Sequence, residues 1–185
     1  MSESIQTGRQ TQAQRLLKKR ALELARSLRT QGDPAGSLNI VTFTLGRERF
    51  GLELKHLKEV QPLAVLNWSL VPCTPEFVVG VVNIRGRLYS VMDLAGFLGL
   101  RKRQVGPDSH VLLVNGDENG KGAAMELGLI SDTLPLISRI KLEDLQDAQD
   151  TVSEDARKYF KGVTSSMTTL LDIQALLSDP AIIVE

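Results

Sequence analysis

The sequence predicts a mainly-β protein: two related small β-barrel units behind an N-terminal amphipathic helix. Three observations carry this. At residue 38 the apolar periodicity changes from helical spacing to short alternating runs broken by turns. The second half then repeats the order of the first: Phe-Val-Val-Gly-Val-Val (77–82) is echoed by Tyr-Phe-Lys-Gly-Val-Thr (159–164), and SVMDLAGFL (90–98) by TLLDIQALL (169–177). Finally, strands this short with turns this frequent favour small barrels over a sandwich.

Residues 9–30 contain no Gly or Pro, and Ala13, Leu17, Ala21, Leu24 and Leu28 form one apolar stripe at helical steps. Gln-Gly-Asp-Pro-Ala-Gly-Ser (31–37) ends that helix and reads as a linker. Residues 38–54 read as a hairpin turning at Gly-Arg-Glu-Arg. His-Leu-Lys-Glu-Val-Gln-Pro-Leu (56–63) reads as a turn or short helix leading into a strand. After the stretch GVVNIRGRLYSVMDL (80–94), Asp93 is placed to cap a short helix and Gly99 to stop it. Residues 101–109 are a polar connection. Residues 111–127 repeat strand, Gly-rich turn and strand, and SDTLPLI (131–137) echoes KEVQPLA (58–64). The expected organisation is an arm and linker over 1–37, a first barrel over about 38–100, a second over about 108–178 and a tail over 179–185. The copies differ at one place. Gly80 to Asp93 spans thirteen residues and Gly162 to Asp172 ten, so Asn-Ile-Arg-Gly belongs to the first copy alone.

The chain has 185 residues, 42% hydrophobic and 24% charged, which suits a globular protein with a real core. Its net charge is zero, but residues 1–38 carry seven Lys/Arg against three Asp/Glu, a basic arm on a mildly acidic body. One cysteine, Cys73, allows no internal disulfide and points to a reducing compartment. No apolar run nears the ~20 residues of a membrane span, and the N-terminus lacks the apolar stretch of a secretory signal. The expected location is cytoplasmic.

The sequence offers little enzymatic chemistry. His56 and His110 lie in different halves, and no Cys/His spacing suits zinc. Ser165 and Ser166 lack a nucleophile elbow. The glycines at 116, 120 and 122 sit in an acidic turn without the order of a phosphate-binding loop. Asp93 and Asp172 read as helix caps rather than a catalytic pair. No cofactor and no metal are expected. The basic arm reads as a docking helix presenting Leu17, Leu24 and Leu28, with a membrane surface, nucleic acid or plain solvation as alternatives. For Asn83, Arg85, Gly86 and Arg87, a hairpin turn accounts for Gly86 and partly for Asn83. It does not require either arginine, and arginine is enriched in protein interfaces.

Five segments together resemble the CheW-like family of bacterial chemotaxis coupling proteins: FTLGRERFGLEL (43–54), LKEV (57–60), TPEFVVGVVNIRGRLYSVMDL (74–94), YFKGV (159–163) and LLDIQALL (170–177). The resemblance covers residues 38–178 and is most specific in the first half. It implies two Src-homology-3-like five-stranded barrels and a non-enzymatic adaptor in cytoplasmic signal transduction. The implied partners are the cytoplasmic tip of a methyl-accepting chemoreceptor, the regulatory domain of a CheA-type histidine kinase and other CheW-like proteins, with recruitment to membrane-associated receptor arrays. It places Leu57, Glu59 and Val60 where the family contacts receptor or kinase, and Asn83, Arg85 and Gly86 on the signature turn. Two positions depart from the pattern: Ser90 stands where Pro is common and Ala95 where Arg is common. The arm lies outside the core family. These departures leave room for a specialised scaffold in a non-flagellar pathway such as surface sensing, pili or second-messenger control.

Overall fold

A computed structural model describes residues 36–100, 105–106, 108–116, 125–147 and 154–182. The arm, with Leu17, Leu24 and Leu28, lies outside the described residues. The described strands form two six-stranded sheets. In chain order they are β1 (Ser37–Leu45), β2 (Glu48–Glu53), β3 (Leu57–Pro62), β4 (Asn67–Ser69), β5 (Val78–Ile84), β6 (Arg87–Met92), β7 (His110–Asn115), β8 (Glu126–Ser131), β9 (Leu136–Lys141), β10 (Leu145–Gln146), β11 (Phe160–Thr164) and β12 (Thr168–Leu171). Among the described residues three short α-helices accompany them: α1 (Leu94–Phe97), α2 (Glu154–Arg157) and α3 (Ile173–Leu177). The mainly-β expectation holds, and each sheet has one strand more than the five expected. The extra members, β4 and β10, are three and two residues long, too short to leave a periodic signature.

The duplication is real, and its halves are exchanged. One sheet runs β10-β11-β12-β2-β1-β9 and the other β4-β5-β6-β8-β7-β3. The first sheet therefore takes only the β1–β2 hairpin from the first half, and the second takes only β7–β8 from the second half. The sheets do not follow the division near residue 100 that the sequence suggested. Both contain one parallel contact, β12 with β2 and β6 with β8, where the exchanged hairpin meets its host. A sequence pattern reports the order of elements along the chain, and the exchange preserves that order, so composition and spacing carry no trace of it.

The ladders align the copies residue by residue. Gly128 lies beside Val91, two residues before the cap Asp93, and Gly51 lies beside Leu170, two residues before Asp172. Leu113 pairs Gly128 and Thr42 pairs Gly51; Glu59 in turn pairs Leu113, and Leu136 pairs Thr42. Glu59 thus corresponds to Leu136, four residues beyond the Asp132 that the echo of KEVQPLA in SDTLPLI put opposite it. The two prolines misled that alignment. Pro62 closes β3, whereas Pro135 precedes β9.

Apolar faces meet between and within the sheets. Leu63, Val79, Val82, Ile84, Val91, Val111 and Ile130 fill the second sheet. Phe43, Phe50 and Phe160 stack in series in the first. Both predicted caps form: Asp93 accepts from the Ala95 amide and Asp172 from the Ala175 amide. Gly99 sits at φ +68° just past α1, as a C-terminal stop requires. Phe97 of α1 packs against Tyr159, the residue before β11.

Part of the expected C-terminal tail is packed. Ile182 is buried, and Asp179 accepts from the Tyr159 hydroxyl at 2.8 Å and from Lys158 at 2.5 Å. The Lys158 ammonium, helped by the Ala181 amide and Tyr159, holds the Asp179 carboxyl down at about 2 against an ordinary 3.8. The folded value lies below the unfolded one. The stabilisation is therefore complete above the unfolded pKa and is lost as pH falls through the folded one. Melting temperature measured against pH is expected to drop across this window in the wild type. Asp179→Asn is expected to start lower and lose less across the same window; a parallel profile would assign the acid sensitivity elsewhere.

Candidate functional site

The three-residue difference between the copies lengthens a hairpin rather than forming a loop. Relative to β11 and β12, β5 and β6 are each two residues longer, and the turn shortens from three residues to two. Ile84 pairs Arg87 across the turn. Arg85 has φ +54° and Gly86 φ +83°. Positive φ at both central residues marks the type I′ turn, whose twist matches the flanking strands. The turn expected from sequence is there, and the left-handed Arg85 is a finding: a long side chain occupies a position usually given to Asn, Asp or Gly. The Asn83 side-chain oxygen accepts from the Gly86 amide at 2.9 Å and pins the turn.

The lengthened tip reaches the opposite edge of its own curled sheet. Arg85 Nη2 lies 2.9 Å from Glu59 Oε1 on β3, and the same carboxylate oxygen accepts from Gln61. One turn of the ladder away, Glu126 on β8 receives Lys58 from β3, and Arg87 approaches it at 4.0 Å. The hydrogen bond from Lys58 holds the Glu126 carboxyl below its usual range. Arg87 also sits 5.8 Å from the centre of the Tyr89 ring. The result is a charged mouth at one end of this sheet, built from β3, the β5–β6 tip and the start of β8.

The structure thus brings together Glu59, Asn83, Arg85, Gly86 and Arg87 from two distant segments. Val60 is half-buried on the neighbouring face of β3. Leu57 is buried, with 9% of its surface exposed. Sequence reasoning missed Lys58, Gln61, Tyr89 and Glu126. Glu126 lies on a strand that only the hairpin exchange brings beside β6, and no spacing signals it. In the other sheet the equivalent of Glu59 is the exposed Leu136, that of Glu126 is Arg49, and the tip extension is missing. The charged mouth is specific to the first-half hairpin.

A family model described as CheW-like domain matches residues 39–181. The chemotaxis protein CheW of Treponema pallidum is 28% identical over 148 residues, covering 75% of this chain and 81% of that protein. Protein PilI of Pseudomonas aeruginosa is 33% identical over 95 residues, 51% of this chain and 52% of that one. The scaffolding protein TtCheW of Thermoanaerobacter tengcongensis superposes with a TM-score of 0.64 at 24% identity, covering 81% of this chain and 93% of that one, which shows a shared fold.

Proposed function

The chain belongs to the CheW-like domain family, and from that premise we propose that it is a non-catalytic adaptor. In this reading it couples methyl-accepting chemoreceptors to a CheA-type histidine kinase, in chemotaxis or a chemotaxis-like signalling pathway. The observation that supports this best is the charged mouth. Two segments far apart in sequence converge there on a rigid sheet end, with their cations turned to solvent. An adaptor works by geometry: a body of fixed shape holds two partners in one orientation, so that the state of one reaches the other without covalent chemistry. Among the described residues no helix is long and apolar enough to cross a membrane, so recruitment to receptor arrays would run through the partners. Titration with the cognate receptor tip and with the kinase regulatory domain is expected to show saturable binding to each. Saturable binding to neither would overturn the proposal.

A second reading is a specialised scaffold serving a non-flagellar pathway, with the arm docking a further partner or a membrane surface. It is favoured by Ser90 and Ala95, which depart from the common pattern, and by the similarity to PilI. A deletion strain that swims up gradients normally but loses a surface behaviour would select it.

A further inference from the structure

We infer that a cavity between the β1–β2 and β11–β12 turns binds a small carboxylate with an aromatic body. The inference goes beyond the adaptor reading and does not depend on it. The cavity has a volume of about 320 Å³, at the small end of ligand sites, so it suits a compact molecule. Part of its lining is apolar. Phe50 is buried, Phe160 and Val163 are half-buried, and the Phe50 and Phe160 rings stack 6.5 Å apart. Met167, 70% exposed, offers an aromatic ring a sulfur to lie against. The rest of the lining is polar. Arg47, Glu48 and Arg49 come from the β1–β2 turn and the start of β2. Two cations against one carboxylate leave one positive charge in excess, which matches a monoanion. Among the described residues no carboxylate pairs with Arg47 or Arg49. The other sheet shows what is missing. There Glu126 stands in the place of Arg49, and Lys58, Arg87 and Tyr89 converge on it. The first sheet has the cation without a counter-charge, and its shorter β11–β12 tip leaves the space open. A guanidinium holds a carboxylate with two parallel hydrogen bonds. Ser166 supplies a further donor. Thr164 Oγ1 accepts from the Thr168 amide at 3.1 Å and lies 2.9 Å from Ser166 Oγ, to which it can give its own proton. The Ser166 proton is then left for the cavity, with only the longer 3.4 Å approach to Thr168 competing for it.

The test is an amide NMR titration of the full chain with phenylacetate, acetate and phenylacetamide. Phenylacetate is expected to bind saturably and to shift the amides of Arg47–Phe50 and Ser166–Thr169. Acetate lacks the ring and phenylacetamide lacks the charge, and each is expected to bind at least about tenfold more weakly. Arg47→Gln/Arg49→Gln is expected to weaken phenylacetate at least about tenfold, and Ser166→Ala about threefold. Both variants are expected to melt within about 2 °C of the wild type, because the altered side chains are exposed. Arg85→Gln/Arg87→Gln, in the other sheet, is expected to bind phenylacetate as the wild type does. Wild-type affinity in the folded Arg47→Gln/Arg49→Gln variant would overturn the inference. So would phenylacetate shifts that never saturate, or equal affinity for acetate or phenylacetamide. None of these outcomes touches the adaptor reading, which the partner titrations decide.

Discussion

Arg85→Ala is expected to lower receptor-dependent kinase activation by at least about tenfold, as loss of an interface arginine commonly does. Its melting temperature is expected to move by no more than about 2 °C, because the pair it loses is a surface one. Arg85 touches no buried group. Its contact with Glu59 lies at a solvent-facing mouth, and the turn that carries it is held by Asn83 and Gly86. The backbone sharpens the test. At φ +54° any residue with a Cβ bears the left-handed strain, about 1–2 kcal/mol, and Ala relieves none of it. Gly relieves it all. Arg85→Gly is therefore expected to melt at or above the wild type while coupling as poorly as Arg85→Ala. A chain selected only for stability would not keep arginine there. If Arg85→Ala instead melts 6 °C or more below the wild type, Arg85 serves the fold and the coupling role is lost. Arg85→Lys, which keeps the charge without the planar fork, is expected to recover coupling only in part.

What the sequence shows of this molecule depends on whether a feature is written in local order. The hairpins, the two Asp caps, the Gly99 stop and the β5–β6 turn are local, and each was legible from a handful of neighbouring residues. The short β4 and β10 were not, because two or three residues carry no period. The exchange of the β1–β2 and β7–β8 hairpins was invisible for a different reason. The exchange leaves the order of elements along the chain unchanged and shows only in long-range strand pairings. Glu126 went unseen as a consequence, since its place beside the arginines depends wholly on that exchange. Leu57, assigned with Glu59 and Val60 from the resemblance, is buried: the register of β3 against β7 shifts between Leu57 and Glu59, and no local spacing announces that irregularity.

Gly80→Ala is expected to cost about 2–4 kcal/mol, in the range of a forced backbone clash combined with strain. That would lower the melting temperature by roughly 5–15 °C in a domain of this size. Gly80 lies where the register of β5 against β6 shifts, with φ +147°. A Cβ there would stand 2.3 Å from the Ser69 carbonyl oxygen and 3.1 Å from its carbon. Those are backbone atoms of β4, which cannot swing aside as a side-chain tip could. The strand would have to leave its ladder. The other copy repeats the arrangement: Gly162, at φ +150° and at the matching shift between β11 and β12, would place a Cβ 2.5 Å from the Gln146 carbonyl oxygen of β10. Gly162→Ala is expected to cost a similar amount. Gly86→Ala is the control, because nothing lies within 4 Å of its Cβ position and only the strain of φ +83° remains, about 1–2 kcal/mol. This comparison divides the Gly-Val-Val-Asn-Ile-Arg-Gly stretch by role. Gly80 holds an edge strand against the sheet, as its counterpart does in a hairpin without the arginines. Variants at Gly80 should therefore lose stability and partner binding together. Variants at Arg85 should lose binding alone. If Gly80→Ala melts like the wild type, β4 yields without cost, and the parallel between Gly80 and Gly162 reflects ancestry rather than a constraint of the fold.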